Sequence, residues 1–205
     1  MTNIIPRYEF RAFANNFDPI EAKMNELASV ELERDINEIY LLTAGNEENN
    51  IKIRHKKMDI KVLVDKKNEL ELWIPQLIGE FPMKAAVLEN EVYASLGISA
   101  PVFDKKEYTL KEFITVLIKE DPDVIAAHTR KIRKAYTIND CICEVADVFV
   151  NGAHIKTIAI EAEDQGKVSK TKQLLGFSKE EENLNYPMAI KRIIGLEEWP
   201  NQIKW

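Results

Sequence analysis

Apolar and polar residues alternate with a period of two along much of the chain, which predicts β-strands joined by short polar segments. The segment GNEENN at 45–50 predicts a loop between two such strands, and Asn151-Gly152 predicts a tight hairpin turn. The stretches with strand periodicity are YEFRAF, EIYLLT, IKIRHK, DIKVLV, ELELWI, RKIRKAYTI, CICEVADVFV and HIKTIAIEAE.

Helical patterns interrupt the strands. The first helix is predicted to begin with Asp18 as its N-cap and Pro19 in its first turn. Further helices are predicted over 82–97, from a Thr109–Glu112 capping box onward, over 166–175 and within NYPMAIKRIIG. Strands, helices, strands and helices in this order predict an α+β fold with a largely antiparallel sheet and a single domain over 1–205.

The polar faces of the predicted strands are charged. In IKIRHK, Ile51 and Ile53 fall on one face while Lys52 and Arg54 fall on the other. The amphipathic helices need apolar surface to cover, and the aliphatic strand faces offer it. The charged faces would then point inward, where each unpaired charge costs roughly several kcal/mol. A water-filled tunnel for a polyanion and its metal counter-ions would explain such a pattern.

One carboxylate pair stands out in KTIAIEAED. As a strand, this segment places Glu161 and Glu163 on the same face, where the two charges repel each other. A solvated sheet face is the ordinary interpretation. The alternative is that the two carboxylates share a cation.

Composition narrows the classes of ligand and compartment. A net charge of −6 and a pI near 5.3 argue against non-specific binding to nucleic acid or to an acidic membrane, but not against an anionic small molecule in a local basic site. The segment MTNIIPRYEF has no apolar run suited to a signal peptide, and the sequence contains no run of about 18 apolar residues. Cys141 and Cys143 are too close in sequence for a disulfide framework, so we predict reduced core cysteines and a cytoplasmic protein.

These charged strands, in their order along the chain, resemble the CYTH superfamily of triphosphate tunnel metalloenzymes. The basic pair Lys52/Arg54 is followed by Lys131/Arg133, by the late pair Glu161 and Glu163, and by an ending NLNYPMAIKRIIG similar to the family's C-terminal helix. The superfamily includes class IV adenylyl cyclases, thiamine triphosphatases and inorganic triphosphatases. The resemblance covers nearly the whole chain and implies an antiparallel eight-stranded β-barrel, open as a tunnel, with flanking helices.

The resemblance also implies roles for individual residues. The implied phosphate-binding residues are Arg11, Lys52, Arg54, Lys61, Lys131, Arg133 and Lys191. The implied ligands of Mg²⁺ or Mn²⁺ are Glu9, Glu144, Glu161 and Glu163, and the implied catalytic residues are Glu9, Lys61 and Glu144.

The first strand departs from the family's Glu-x-Glu-x-Lys pattern. In RYEFRAF, Arg7 aligns with the first Glu, Glu9 with the second and Arg11 with the Lys. Arginine can clamp phosphate, but it cannot replace a carboxylate as a metal ligand. We therefore expect one metal ion rather than two.

Three functions are compatible with this pattern. The first is a metal-dependent phosphohydrolase acting on a nucleoside triphosphate, thiamine triphosphate or inorganic triphosphate. The alternatives are a class IV adenylyl cyclase-like activity and a non-catalytic polyphosphate or organic phosphate-binding protein with a degenerate first motif. The expected partner is a triphosphate-containing small molecule, with neither membrane nor nucleic acid; a homodimer is left open.

Overall fold

The computed structural model of the chain describes residues 6–178 and 181–198. Its strands are β1 (Arg7–Ala14), β2 (Leu32–Leu42), β3 (Asn49–Arg54), β4 (Lys57–Lys67), β5 (Leu70–Glu80), β6 (Met83–Lys84), β7 (Glu107–Tyr108), β8 (Ile125–Ile138), β9 (Cys141–Val150) and β10 (Ala153–Ala162). Its α-helices are α1 (Asp18–Leu27), α2 (Ala85–Val87), α3 (Ala94–Leu96), α4 (Leu110–Glu112), α5 (Gln165–Leu175) and α6 (Tyr186–Ile193), and π-helical turns cover Leu88–Tyr93 and Phe113–Ile118.

Within the described residues, eight strands close into an antiparallel barrel in the order β1-β10-β9-β8-β2-β3-β4-β5. The short strands β6 and β7 pair with each other in a separate ribbon that the sequence pattern did not predict. Because β6 falls within the range 82–97, the predicted start of that helix was wrong, and the helical segment begins at Ala85. The α+β class and the eight-stranded antiparallel barrel with flanking helices are therefore confirmed. None of the helices in the described ranges is long and apolar enough to cross a membrane.

Two-residue turns fix the register of several strand pairs. Both residues of each turn have positive φ, the backbone conformation that matches the twist of antiparallel strands. The predicted turn at Asn151-Gly152, with φ of 47° and 94°, is one of them. The others are His55-Lys56 between β3 and β4, Asn68-Glu69 between β4 and β5, and Asn139-Asp140 between β8 and β9. A fixed register matters because a slip of one residue would exchange the two faces of a strand.

The chain divides into two compact units. The first contains the residues up to Ile36, then Leu63–Ile74 and Arg130–Asn185. The second contains Asn37–Val62, Pro75–Thr129 and the residues from Tyr186 onward. The expectation of a single domain over 1–205 stays a prediction.

In the first unit, the apolar core lies between one face of the strands and helices α1 and α5. Phe10, Cys143, Ile158 and Ile160 pack there against Val168. Cys143 and its neighbour in the core, Cys141, are free and buried, as the sequence predicted.

Two local predictions in this unit have different outcomes. Gly176 ends α5 with φ of 87°, a left-handed conformation that suits glycine, and the predicted end of this helix is confirmed. The N-cap of α1 is Phe17, so the prediction of Asp18 was wrong. Asp18 is already the first helical residue, and its backbone N–H donates to Oδ1 of Asn16.

In the second unit, the apolar faces of β3 and β4 pack against the helical segments over 85–96 and 110–118. Ile51 and Ile60 lie in this core together with Leu88 and Phe113. The predicted helix end at Gly97 and the predicted Thr109–Glu112 capping box are both confirmed. Because the helices cover the aliphatic face in each unit, the charged face of the same strands is turned away from them; we call it the inner face.

We predict that apolar burial on the helix-covered face dominates stability. Ile158→Ala removes a fully buried side chain and should lower the free energy of unfolding by about 2–5 kcal/mol in denaturant titrations. The matched change Ile142→Ala removes a side chain that is 42% exposed, and it should cost only about 0.5 kcal/mol. Equal losses in the two variants would contradict this assignment of the faces.

Candidate functional site

Register places a row of carboxylates on the inner face of the first unit. Glu9 on β1 lies directly opposite Glu161 on β10 and opposite Glu71 on β5. Arg11 lies opposite Ala159, which in turn lies opposite Glu144 on β9. Directly opposed residues of antiparallel strands point to the same face, so all these side chains share the inner face.

Arg11 joins three of these carboxylates. Its Nε lies 2.6 Å from Oε1 of Glu9, its Nη1 lies 3.2 Å from Oε1 of Glu144, and its Nη2 lies 3.9 Å from Oε1 of Glu161. Arg133 also pairs with Glu144, through the oxygen that Arg11 does not contact. We call Arg11, Glu9, Glu144, Glu161 and Arg133 the Arg11 cluster.

The small side chain at position 159 makes this arrangement feasible. Arg11 and Glu144 are two strands apart, and neighbouring strands are separated by about 4.8 Å. Ala159, which lies between them, has no atom beyond Cβ, so the guanidinium extends over it to reach Glu144. Arg11 and Glu144 are both buried, and each therefore depends on the other for charge compensation.

The acidic residues of the described chain do not fit a resident metal ion. No three Asp, Glu, His or Cys side chains within residues 6–178 and 181–198 are placed so as to hold one. The space between Glu9, Glu144 and Glu161 is instead taken by the guanidinium of Arg11. Glu163 lies just beyond the end of β10 and is exposed. It therefore does not share the strand face of Glu161, although the sequence pattern predicted that it would. Binding of Mg²⁺ or Mn²⁺ by these residues stays a prediction.

Glu71 is an inner-face residue that the predicted site did not include. Burial is the main cause that raises its pKa, and the negative charge of Glu9 raises it further. Asn185 and Trp73 donate hydrogen bonds to its two oxygens, and these bonds, like the charge of Lys66, lower the pKa by less than burial raises it. The alternation in ELELWI sets Glu71 opposite the apolar face of Leu70 and Leu72, but it contains no sign that this carboxylate is buried beside another.

A second group of charges lies on the inner face of the second unit. Arg54 Nη2 lies 2.7 Å from Oδ2 of Asp59, and Arg54 Nε lies 3.9 Å from Oε1 of Glu38. Lys52 is opposite Asp59, and its Nζ lies 5.6 Å from the centre of the Tyr40 ring. Since β3 and β4 contribute most of the group, we call Lys52, Arg54, Asp59 and Lys61, with Glu38 on β2, the cationic hairpin.

Lys52 is a buried lysine within the cationic hairpin. Its burial lowers its pKa, and the neighbouring charges of Lys61 and Arg54 lower it further. The carboxylates of Glu38 and Asp59 act in the opposite direction, but the net change is downward. The charged ammonium is therefore less favourable here than in water.

The remaining predicted phosphate ligands differ in their surroundings. Lys61 is opposite Asn50 and partly buried, and Lys131 is buried two positions from Arg133 on β8. Lys191 on α6 is buried and donates to the carbonyl oxygens of Ala44 and Asn46, at 2.9 and 2.8 Å. These two bonds attach α6 to the turn after β2, so they indicate a structural role and do not support the predicted phosphate contact.

The raised pKa of Glu71 gives a test of the inner-face electrostatics. Above the ordinary value of 4.5, the folded state retains a proton that the unfolded state has lost, so this carboxyl lowers stability as pH rises toward its native pKa. Glu71→Gln removes the effect. The free energy of unfolding of the variant, relative to wild type, should therefore increase from pH 4 to pH 7. A difference that stays constant over this range would contradict the assignment.

Comparisons with known proteins agree with the architecture. No protein-family model matches the chain, and no curated protein matches it. A solved structure from Hippeastrum, named as an adenylyl cyclase candidate with a dominant triphosphatase activity, aligns with a TM-score of 0.52 at 12% identity, over 92% of this chain and 96% of that one. A conserved hypothetical protein from Pyrococcus furiosus aligns with a TM-score of 0.49 at 20% identity, over 87% of this chain and 98% of that one.

An adenylate cyclase candidate from Bacillus halodurans gives a TM-score of 0.47 at 11% identity, over 98% of this chain and 97% of that one. At such identities a likeness concerns the fold alone. The chain therefore shares the antiparallel barrel fold of the Hippeastrum protein, which is the fold that its resemblance to the CYTH superfamily implied.

Proposed function

We propose that this chain binds a triphosphate-bearing compound at the charged inner face of its barrel and hydrolyses a phosphoanhydride bond in it. The observation that supports this best is the charge balance of the cationic hairpin. Within the residues that the structure describes, Lys52, Arg54 and Lys61 supply three positive charges to this group, and Glu38 and Asp59 supply two negative charges. An excess of positive charge on a desolvated surface favours binding of an anion.

The state of Lys52 strengthens the case for an anionic ligand. Its ammonium is buried beside two other cations, and its pKa is lowered as a result. A phosphate oxygen beside Nζ would add to the negative charge of Glu38 and Asp59 and favour the protonated form. Arg54, whose side chain is 34% exposed, can add a bidentate contact to the same kind of ligand.

The barrel favours a narrow ligand over a nucleic acid. An eight-stranded barrel has an interior that holds side chains or one small ligand. A triphosphate chain is narrow and densely charged, so it matches both the space and the positive charge. Phosphate chains in solution bind Mg²⁺ or Mn²⁺, and a cation that accompanies the chain would be part of the substrate.

Hydrolysis is proposed because carboxylates with different environments share the inner face. A raised pKa suits a carboxylate that takes a proton from water near neutral pH, and Glu71 has this property. Glu9 and Glu144, which the sequence predicted as catalytic, are both bound to Arg11. We therefore propose Glu71 as the general base.

Binding is testable without knowing the natural substrate. Tripolyphosphate should raise the melting temperature of the protein in a concentration-dependent way. Arg54→Ala and Arg133→Ala should each weaken tripolyphosphate binding at least about tenfold in calorimetry, because charge-assisted hydrogen bonds contribute roughly 1.5–3 kcal/mol. Arg130→Ala is the matched control, since Arg130 lies on the other face of β8 and pairs with exposed Asp35. Similar affinities in all three variants would contradict the proposal.

Turnover separates hydrolysis from binding alone. The Arg11 cluster favours binding without turnover as the second candidate, because Arg11 already engages both predicted catalytic carboxylates. We expect phosphate release from tripolyphosphate, thiamine triphosphate or a nucleoside triphosphate in the presence of Mg²⁺ or Mn²⁺, and loss of that release in Glu71→Gln. Binding with no phosphate release from any compound would support the second candidate, and a cyclic nucleotide product would support cyclase activity.

A further inference from the structure

The carboxylates of the Arg11 cluster already have a positive charge among them. We infer that Arg11 is the resident cation of Glu9, Glu144 and Glu161, in the place a divalent metal ion would take, so that the folded protein holds no divalent cation there by itself. The inference deepens the proposed function, and it rests on that function only where it concerns phosphate: the inner face should bind a triphosphate without Mg²⁺ or Mn²⁺.

Geometry is the first support. Each of the three nitrogens of the guanidinium faces a different carboxylate, at 2.6, 3.2 and 3.9 Å. Nη1 also lies 3.4 Å from Oγ1 of Thr157, whose hydroxyl donates to the carbonyl oxygen of Ala12. The Arg11 side chain is only 5% exposed, so these contacts are made away from water.

The backbone of Arg11 is held as firmly as its side chain. Its N–H donates to Oδ1 of Asn183 at 2.8 Å, and its carbonyl oxygen accepts from the N–H of Leu184 at 2.7 Å. The Asn183 amide also donates to the carbonyl oxygens of Glu9 and Glu69. The backbone from which the Arg11 side chain extends is therefore fixed by this segment.

Charge competition is the second support. Ca²⁺, Mg²⁺ and Mn²⁺ prefer six or more oxygen ligands, and the Arg11 N–H groups already occupy the carboxylate oxygens that would provide several of them. A divalent ion entering this space would also be placed beside a buried guanidinium that cannot lose its proton. Arg133 adds a further positive charge on Glu144. The cluster thus excludes a divalent cation by occupation and by repulsion.

Removing the guanidinium should create the metal site that it now blocks. We expect Arg11→Ala to bind Mn²⁺ at least about tenfold more tightly than wild type in calorimetry without phosphate. Arg11→Lys retains one positive charge and should bind Mn²⁺ like the wild type. Arg130→Ala removes the arginine that pairs with Asp35 on the other face of β8, and it should also bind Mn²⁺ with wild-type affinity.

Two further measurements test the inference even if the Arg11→Ala variant folds less stably than wild type. If loss of the guanidinium weakens folding of Arg11→Ala, Mn²⁺ should raise the melting temperature of this variant, whereas it should leave the wild-type melting temperature unchanged. Adding Glu144→Gln to Arg11→Ala should remove the gained Mn²⁺ affinity. Wild-type protein that binds Mn²⁺ as tightly as Arg11→Ala, or an Arg11→Ala variant that gains no affinity, would overturn the inference.

Measurements of tripolyphosphate binding separate this inference from the proposed function. Wild-type protein should bind tripolyphosphate with the same affinity, within about threefold, in EDTA and in excess Mn²⁺. Binding that requires Mn²⁺ would overturn the metal-independent part of the inference. The absence of tripolyphosphate binding in both buffers would overturn the proposed function, while the Mn²⁺ titrations of the Arg11 variants would still decide the role of Arg11.

Discussion

The pairing of Arg11 with the carboxylates around it is the constraint on which the first unit depends. A barrel whose apolar faces are covered by helices must place its charged faces inside, and isolated charges there are costly. Arg11 offsets much of that cost with a single side chain, because its planar fork of donors faces Glu9, Glu144 and Glu161 at the same time. Loss of one carboxylate would alter the other two through this shared partner.

The two charged groups differ in balance. The Arg11 cluster contains three carboxylates and two guanidinium groups, all within a network of mutual contacts. The cationic hairpin contains three cations and two carboxylates, with a buried lysine whose pKa is lowered. The Arg11 cluster therefore has a formal excess of negative charge, whereas the cationic hairpin has a formal excess of positive charge.

Much of this fold could be predicted from sequence because alternation of residue types is local information. The opposition of Ile51 and Ile53 to Lys52 and Arg54 appears in the structure as core on one face and charge on the other. The partners of Arg11 could not be predicted in this way, since they depend on register between strands far apart in sequence and on Ala159 leaving space. The carbonyl partners of Lys191 likewise come from a turn about 150 residues away.

The bonds between β1 and the segment around Asn183 have a consequence for how the chain reaches its structure. Strand β1 pairs with β10, and Arg11 is held by residues near the end of the described chain. A ribosome completes β1 long before it completes those partners, so during synthesis the edge of β1 that pairs with β10 stays without its partner until most of the chain has been made. Contacts of such high sequence separation slow folding and leave strand edges exposed to wrong partners. Barrel closure is thus a late event in folding. Until β1 pairs with β10, the emerging chain is most exposed to pairing with wrong partners.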